Sequence, residues 1–405
     1  MRILKWVAIG LGSLLALVLI GVLVVVWLVD PNRFKPRIER AVKDATGREL
    51  TLTGDIELGF FPWLALRTGE GSFGNAPGFG PSVDQEPMVR WKSAQLGAKL
   101  FPLLGGELVA DRVRLSGVDL QLIRHADGKA NWEGIGSQEP ASPSTGETQF
   151  RIDGVEIDDS RVLFVDETVP RRVEVTGFHF ETDEIDFGHP FTDTTIAGTL
   201  HMDGFAPAGV PFEIELPRVD LPKDFSSIAV QEYTVKFGGL EVQGGVEGKL
   251  GDALNVGGLV ETNEFDPRAL LRAVGIEPPK TTDPKALGVV ALKGQWQVGA
   301  DGMSLGSLTL RLDDSHFTGA LKRGAGDDPV SDIRLDGDTL DLARYVPPPD
   351  PHSEPFTLPT ATLKALKFRG TVQLGEAKYA DTLLKGVTIR LLLDEQGLRN
   401  VEAPK

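Results

Sequence analysis

Two hydrophobic patterns divide the chain. From Val7 to Val29 there is no charged side chain. A helix rises ~1.5 Å per residue, so about 20 residues cross the ~30 Å hydrocarbon core, and this run is long enough. A cleaved signal peptide would carry an apolar core of ~7–15 residues followed by small residues at a cut site. The run is longer than that and ends in Trp27-Leu28-Val29-Asp30. It reads as an uncleaved single-pass anchor over 7–29, after a short N-terminus (1–6), with Trp6 and Trp27 at its two interfaces. Asp30-Pro31 then predicts an N-cap followed by Pro at the first helical position. Phe34, Ile38 and Val42 recur every four residues, and Gly47 supplies a stop. A short amphipathic helix is expected within 30–47, either packed on its own domain or touching lipid through residues such as Phe34.

From Arg48 onward the period changes from helix to strand. Val113/Leu115, Val118/Leu120/Leu122, Ile196/Gly198/Leu200/Met202, Phe212/Ile214/Leu216, Tyr233/Val235/Phe237 and Leu308/Leu310/Leu312 alternate with polar residues. Period-2 alternation sends one row of side chains to each face of a sheet. Asp127-Gly128, Asp158-Asp159, Asp203-Gly204, Asp301-Gly302 and Asp336-Gly337 are turn signals between the runs. The expected body, 48–405, is a long antiparallel sheet of roughly 20–25 short strands with one wet face. One helix is expected after Asp266-Pro267, ending at Gly275, and one helical turn within Leu340–Tyr345. Loops are expected at 136–148 and 347–359.

Composition narrows the chemistry. The 405 residues include no cysteine, so thiolate metal sites, disulfides and a cysteine nucleophile are excluded. The net charge of −16 has the wrong sign for a nucleic-acid footprint. His179, Glu181, Asp183, Glu184, Asp186 and His189 cluster in sequence, but a solvated acidic strand end explains them better than a metal site. No Walker A motif, no G-x-S-x-G elbow and no calcium loop occurs. The expectation is no enzyme, no metal and no cofactor. Arg2 and Lys5 precede the anchor, while Arg33, Lys35, Arg37, Arg40 and Lys43 follow it. The positive-inside rule therefore does not favour export of the large C-terminal part.

An ordered set of segments carries a family resemblance. Asp30-Pro31-Asn32-Arg33-Phe34 follows the anchor, and Ala45-Thr46-Gly47-Arg48 ends the helix. Phe61-Pro62-Trp63-Leu64, Phe73-Gly74-Asn75-Ala76-Pro77-Gly78-Phe79, Leu103-Leu104-Gly105-Gly106 and Asp127-Gly128-Lys129-Ala130-Asn131-Trp132 come next. Phe265-Asp266-Pro267-Arg268 and Leu340-Asp341-Leu342-Ala343-Arg344-Tyr345 complete the set. In this order the string resembles the AsmA family of Gram-negative bacteria, which is similar to TamB and to the chorein-type bridge proteins.

The resemblance implies an inner (plasma) membrane anchor and a periplasmic body, with the sheet curled into a groove. It implies a role in outer-membrane biogenesis and lipid homeostasis, with phospholipid acyl chains as the partner. It also implies a further C-terminal region beyond Leu393–Leu398, and the expectation is that this chain is without it. On this reading Val113, Leu115, Leu120, Leu122, Ile214, Val235, Leu308 and Leu310 line the groove. Without the resemblance, alternation alone would favour an ordinary sandwich core. Phe61 and Trp63, with Phe60, either close the groove base at the membrane interface or form plain core. The rival functional reading is a non-enzymatic scaffold that binds polypeptide during outer-membrane protein assembly.

Overall fold

The computed structural model describes residues 30–400 except 61–63, 80–85, 99–108, 135–150, 153, 170, 184–189, 223, 327–329, 349–367, 380–381 and 395–396. The expected anchor at 7–29, with Trp6 and Trp27, lies outside the described residues. So do Phe61, Trp63, the loop at 136–148 and all but the start of that at 347–359. Among the described residues no helix is long and apolar enough to cross a membrane. The chain divides into two units, residues 1–171 and 172–405.

In the first unit Asp30 caps a 3₁₀ turn (Pro31–Phe34), its side chain accepting from the Asn32 N–H at 3.0 Å. Helix α1 (Lys35–Thr46) follows and stops at Gly47, where a φ of +69° suits glycine. Eight strands come as four broken runs: β1 (Leu50–Leu52) with β2 (Ile56–Phe60), β3 (Leu64–Thr68) with β4 (Gly71–Phe73), β5 (Val89–Trp91) with β6 (Ser93–Ala98), and β7 (Val109–Ser116) with β8 (Asp119–Arg124). β9 (Arg151–Ile152) is short, and β10 (Val155–Asp166) passes along both β7 and β8. Neighbours run β2-β3-β6-β7 on one side of the breaks and β1-β4-β5-β8 on the other. The breaks therefore share one lateral level. Hydrogen bonds from the N–H groups of Gly54, Gly69, Lys92 and Gly117 to the carbonyls of Glu70, Asp55, Ser116 and Asp158 stitch it at 2.7–3.0 Å. At Gly54 a Cβ would sit 2.2 Å from the Glu70 nitrogen, so only glycine fits.

Two expectations are corrected here. The Val113 and Leu120 segments do not pair with each other as neighbouring strands; they lie end to end, and β10 pairs parallel with both. Asp158-Asp159 is not a turn between strands. It is a kink inside β10, where Asp159 takes a φ of +47° and the chain continues in the same direction. Asp tolerates that conformation, so the residue pair marks a kink as readily as a turn.

The second unit holds β11 (Arg171–Thr182), β12 (Phe191–Met202), β13 (Phe205–Asp220), β14 (Ser227–Phe237), β15 (Leu240–Lys249), β16 (Asn255–Thr262), β17 (Val290–Gly299), β18 (Gly302–Leu312), β19 (Ser315–Gly324), β20 (Ser331–Asp341), β21 (Phe368–Tyr379), β22 (Thr382–Asp394) and β23 (Gly397–Asn400). From β11 to β20 each strand pairs antiparallel with the next. β21 breaks the expected antiparallel rule by running parallel to β20. A parallel neighbour needs a long crossover instead of a tight turn, and the sequence between β20 and β21 is long enough for one. Asp336-Gly337, expected as a turn, lies inside β20.

Among the described residues of this unit the one longer helix, α2 (Pro267–Ala273), starts where Asp266 accepts from the Arg268 and Ala269 N–H groups. Its end packs on the β12–β13 turn region: Ala206, Val210 and Val274 form a buried cluster with Phe205 and Phe237 around it. A second buried cluster joins Phe317, Leu374 and Ala377 to Leu310, Leu335 and Val372.

Candidate functional site: an apolar sheet face

Following cross-strand partners through the second unit gives two adjacent rows of opposite character. One begins Phe180, Ile196, Ile214, Val235, Val242 on β11 to β15. It reaches Thr262, which meets β17 through a hydrogen bond from the Leu292 N–H. It ends Leu292, Leu310, Phe317, Gly337, Leu374, Val387 on β17 to β22. The next row, one residue along each strand, is Glu181, Thr195, Glu215, Thr234, Gln243, Glu261, and then Lys293, Thr309, Thr318, Asp336, Gln373, Thr388. Partnered residues share a face and successive residues alternate, so one face is apolar and the other is wet over twelve strands.

Register shifts between Val230 and Tyr233 and between Leu305 and Leu308 keep the alternation on its face. Each extra residue is absorbed by a bulge, so Val230 and Val235, five positions apart, both join apolar rows. A further apolar row on the same face runs Val219, Val230, Val246, Gly258, Trp296, Leu305, Leu321, Ile333.

Burial separates this face from a sandwich core. In the first of these rows only Phe317 and Leu374 are buried, and Ile196, Ile214, Val235 and Leu310 are half-buried. Glycines thin the layer. At Gly337 a Cβ would meet the Phe317 ring at 2.7 Å and Leu374 at 2.9 Å, so the ring lies over the glycine. The wet face is held by charge pairs instead. Lys236 donates to Glu213 at 2.8 Å and to Glu215 at 3.0 Å, and these carboxylates push the ammonium pKa up. Lys293 donates to Glu261 at 2.6 Å. A depression of about 890 Å³ opens on the wet side, walled by Gln231, Glu247, Gln295 and Gln297. Its walls are mixed, since Leu259 and Trp296 line it beside these polar side chains.

The expected lining residues fall in both units. Ile214, Val235 and Leu310 share the row just described, and Leu308, on the same face, is only 3% exposed. In the first unit Val113 sits in a row with Leu58, Leu66, Leu96 and Val155, and Leu115 in the next with Ala94 and Ile157. The intervening row, Glu57, Arg67, Gln95, Arg114, Glu156, is polar throughout. Leu120 and Leu122 are half-buried on β8, while Gln121 and Ile123 on its other side are buried.

That other side is a compact polar core the alternation did not reveal. Asn131, 0% exposed, accepts from the Ile123 N–H and donates to the Gln121 carbonyl and to Asn75. Arg48, 2% exposed, donates to the carbonyls of Asn131 at 2.8 Å, Glu133 at 2.6 Å and Gly74 at 3.2 Å, and burial pushes its pKa down. The Asn75–Phe79 and Ala130–Trp132 segments were visible as motifs, but nothing in them announced this contact. Phe34 is 45% exposed and Ile38 38%, and α1 buries no residue. Of the expected His179–His189 cluster, His179 lies 4.0 Å from Glu181, and Glu184, Asp186 and His189 are outside the described residues.

Comparison with known proteins places this arrangement. The model of the AsmA family matches residues 1–206. The chain belongs to the AsmA family. It is similar to Protein AsmA of Escherichia coli (strain K12), with 22% identity over 339 residues, covering 82% of this chain and 47% of that protein. The chain thus spans about half the length of this relative. The AsmA match takes in the first unit and the first two strands of the second. The apolar row continues far past the matched residues, to Val387 on β22.

Proposed function

We propose that this AsmA-family chain is a non-enzymatic envelope protein whose apolar sheet face binds phospholipid acyl chains and helps move them toward the outer membrane. The observation that carries the reading is the half-buried apolar row spanning twelve strands beside a wholly polar one. Strands lie ~4.8 Å apart, so such a row extends about 50 Å. Each CH₂ it takes out of water contributes roughly 0.8 kcal/mol. A lining of Ile, Val, Leu and Gly offers no single strong hydrogen-bond site, which suits movement over capture. On this reading the 7–29 run anchors the chain in the inner membrane and the body lies in the periplasm. The exposed Phe34 at the N-cap of α1 and Ile38 within it, flanked by Arg33, Arg37 and Lys43, suit a helix lying against anionic headgroups.

Photo-crosslinkers test this directly. Placed at Ile214, Val235 and Leu310 in cells, they should capture phospholipid. Placed one residue away at Glu215, Thr234 and Thr309, on the wet face, they should not. Capture of polypeptide alone at the three apolar positions would overturn the lipid reading in favour of a protein-binding scaffold.

A further inference from the structure

The wet face of the second unit pairs most of its cations. Lys236, Lys293, Arg311, Lys378 and Lys385 each have a carboxylate partner. Among the described residues Lys249 on β15 stands alone without such a partner, and at one place several cations gather. Lys322 on β19, Arg334 on β20, Arg369 on β21 and Arg390 on β22 surround a depression of about 630 Å³. Arg334, Thr371 and Arg390 are successive cross-strand partners, as are Lys322, Asp332 and Arg369. These rows alternate with the apolar one through Ile333 and Leu335, so the depression opens on the face opposite the apolar lining.

Among the described residues Asp332 is the only carboxylate lining it, and Arg369 takes both of its oxygens. Among the described residues Lys322, Arg334 and Arg390 form no direct ion pair with a carboxylate; Lys322 and Arg334 share the field of Asp332, which Arg369 already occupies. Like charges gathered on neighbouring strands repel each other. Their survival as a cluster in a chain of net charge −16 is unusual, because carboxylates to pair them are abundant. Between the charged side chains the lining is Ala320 and Thr371, the latter with a hydroxyl to donate, and the backbone of the Leu321–Ile333–Gly370 row lies between them. Guanidinium forks match phosphate oxygens in a bidentate geometry, and two of them flanking a hydroxyl form a compact anion cradle.

We propose that this cradle is a phosphate-binding site on the wet face, formed by Arg334, Arg390, Lys322 and the Thr371 hydroxyl, with Arg369 held in place by Asp332. The ligand is a phosphate-bearing anion, either a free phosphate compound or an anionic lipid headgroup. The site stands apart from acyl-chain binding and would survive its failure.

The test uses the full chain in a non-ionic detergent at low salt. Pyrophosphate is titrated calorimetrically, and soluble short-chain phosphatidylglycerol is compared with phosphatidylcholine of equal chain length. The wild-type chain should bind pyrophosphate, phosphatidylglycerol in preference to phosphatidylcholine, or both. R334A/R390A should weaken that binding about 25-fold, at roughly fivefold per surface cation. K249A/K293A, which removes two cations from the same face outside the cradle, should change it less than about twofold on the same scale. Pyrophosphate binding without a lipid preference assigns a free phosphate compound; a lipid preference lost in R334A/R390A assigns a headgroup. If R334A/R390A fails to fold, R334Q/R390Q gives the same reading with the side-chain volume kept. The proposal is overturned if wild-type chain binds neither probe. It is equally overturned if the cradle and control variants weaken binding alike.

Discussion

Asp313 shows how one side chain fixes a long connection. It directly follows β18, with a φ of +52°, and is buried. Its carboxylate accepts from the N–H groups of Leu287 and Gly288 at 2.8 Å and Val289 at 3.1 Å, and from the Tyr345 hydroxyl at 2.8 Å. Burial alone would raise its pKa. The Tyr345 hydroxyl and the three amides outweigh that and hold it below the usual carboxylate range. Because the folded pKa is depressed, the stabilisation is fully present above the unfolded value of about 3.9 and is lost as pH falls through the folded value. Hydrogen exchange at the Leu287, Gly288 and Val289 amides should therefore accelerate in acid before the strands do. In Asp313→Asn that acid step should shrink, since the group no longer titrates. Asp313→Ala strands buried donors and should cost about 3 kcal/mol by denaturant melting. An unchanged exchange profile in acid would remove Asp313 as the pin.

At the scale of the strand, glycine decides how closely neighbouring side chains approach. Gly337→Ala would drive a methyl into Phe317 and Leu374, two of the three buried members of their cluster. Overpacking of that kind costs about 1–3 kcal/mol, measurable as a lowered denaturant midpoint. Gly306→Ala, with nothing within 4 Å of the new methyl, should cost less than half as much. Gly337 also marks where the sequence misled. Asp-Gly is a turn signal at Asp301-Gly302 and Asp203-Gly204, where hairpins do form. At Asp336-Gly337 the same pair continues a strand, because the glycine is needed under a ring contributed by β19. No local pattern carries that information. Alternation did identify strands, and it placed Ile214, Val235 and Leu310 where their ladder partners put them on one face. It could not reveal that β7 and β8 lie end to end, since Gly117 reads as an ordinary turn residue. Nor could it expose the Arg48–Asn131 core, whose hydrogen bonds join positions far apart in the chain. The basic cradle escaped for the same reason: Lys322, Arg334, Arg369 and Arg390 meet only through register.

Over the whole molecule the charge and the alternation become one fact. The 58 acidic and 42 basic residues are affordable because alternation gives each strand a wet side to carry them. The row from Glu181 to Thr388 is that side, and it keeps a surface of such length in solution. The opposite side cannot be satisfied in the same way. Its residues are half-buried, so apolar surface remains that an acyl chain would remove from water. A ligand that binds only the folded state adds RT ln(1 + [L]/Kd) to stability, about 2.7 kcal/mol at a hundredfold excess over Kd. Chain stripped of phospholipid by exhaustive detergent exchange should therefore melt at a lower temperature than the same chain resupplied with phosphatidylethanolamine. The shift should grow with lipid concentration, as mass action requires. I214D/V235D puts two carboxylates into the half-buried row and should abolish the lipid-dependent shift. T234D, between them in sequence but on the wet face, should leave it intact. A melting temperature indifferent to phospholipid in the wild-type chain would mean that the apolar face is satisfied without it.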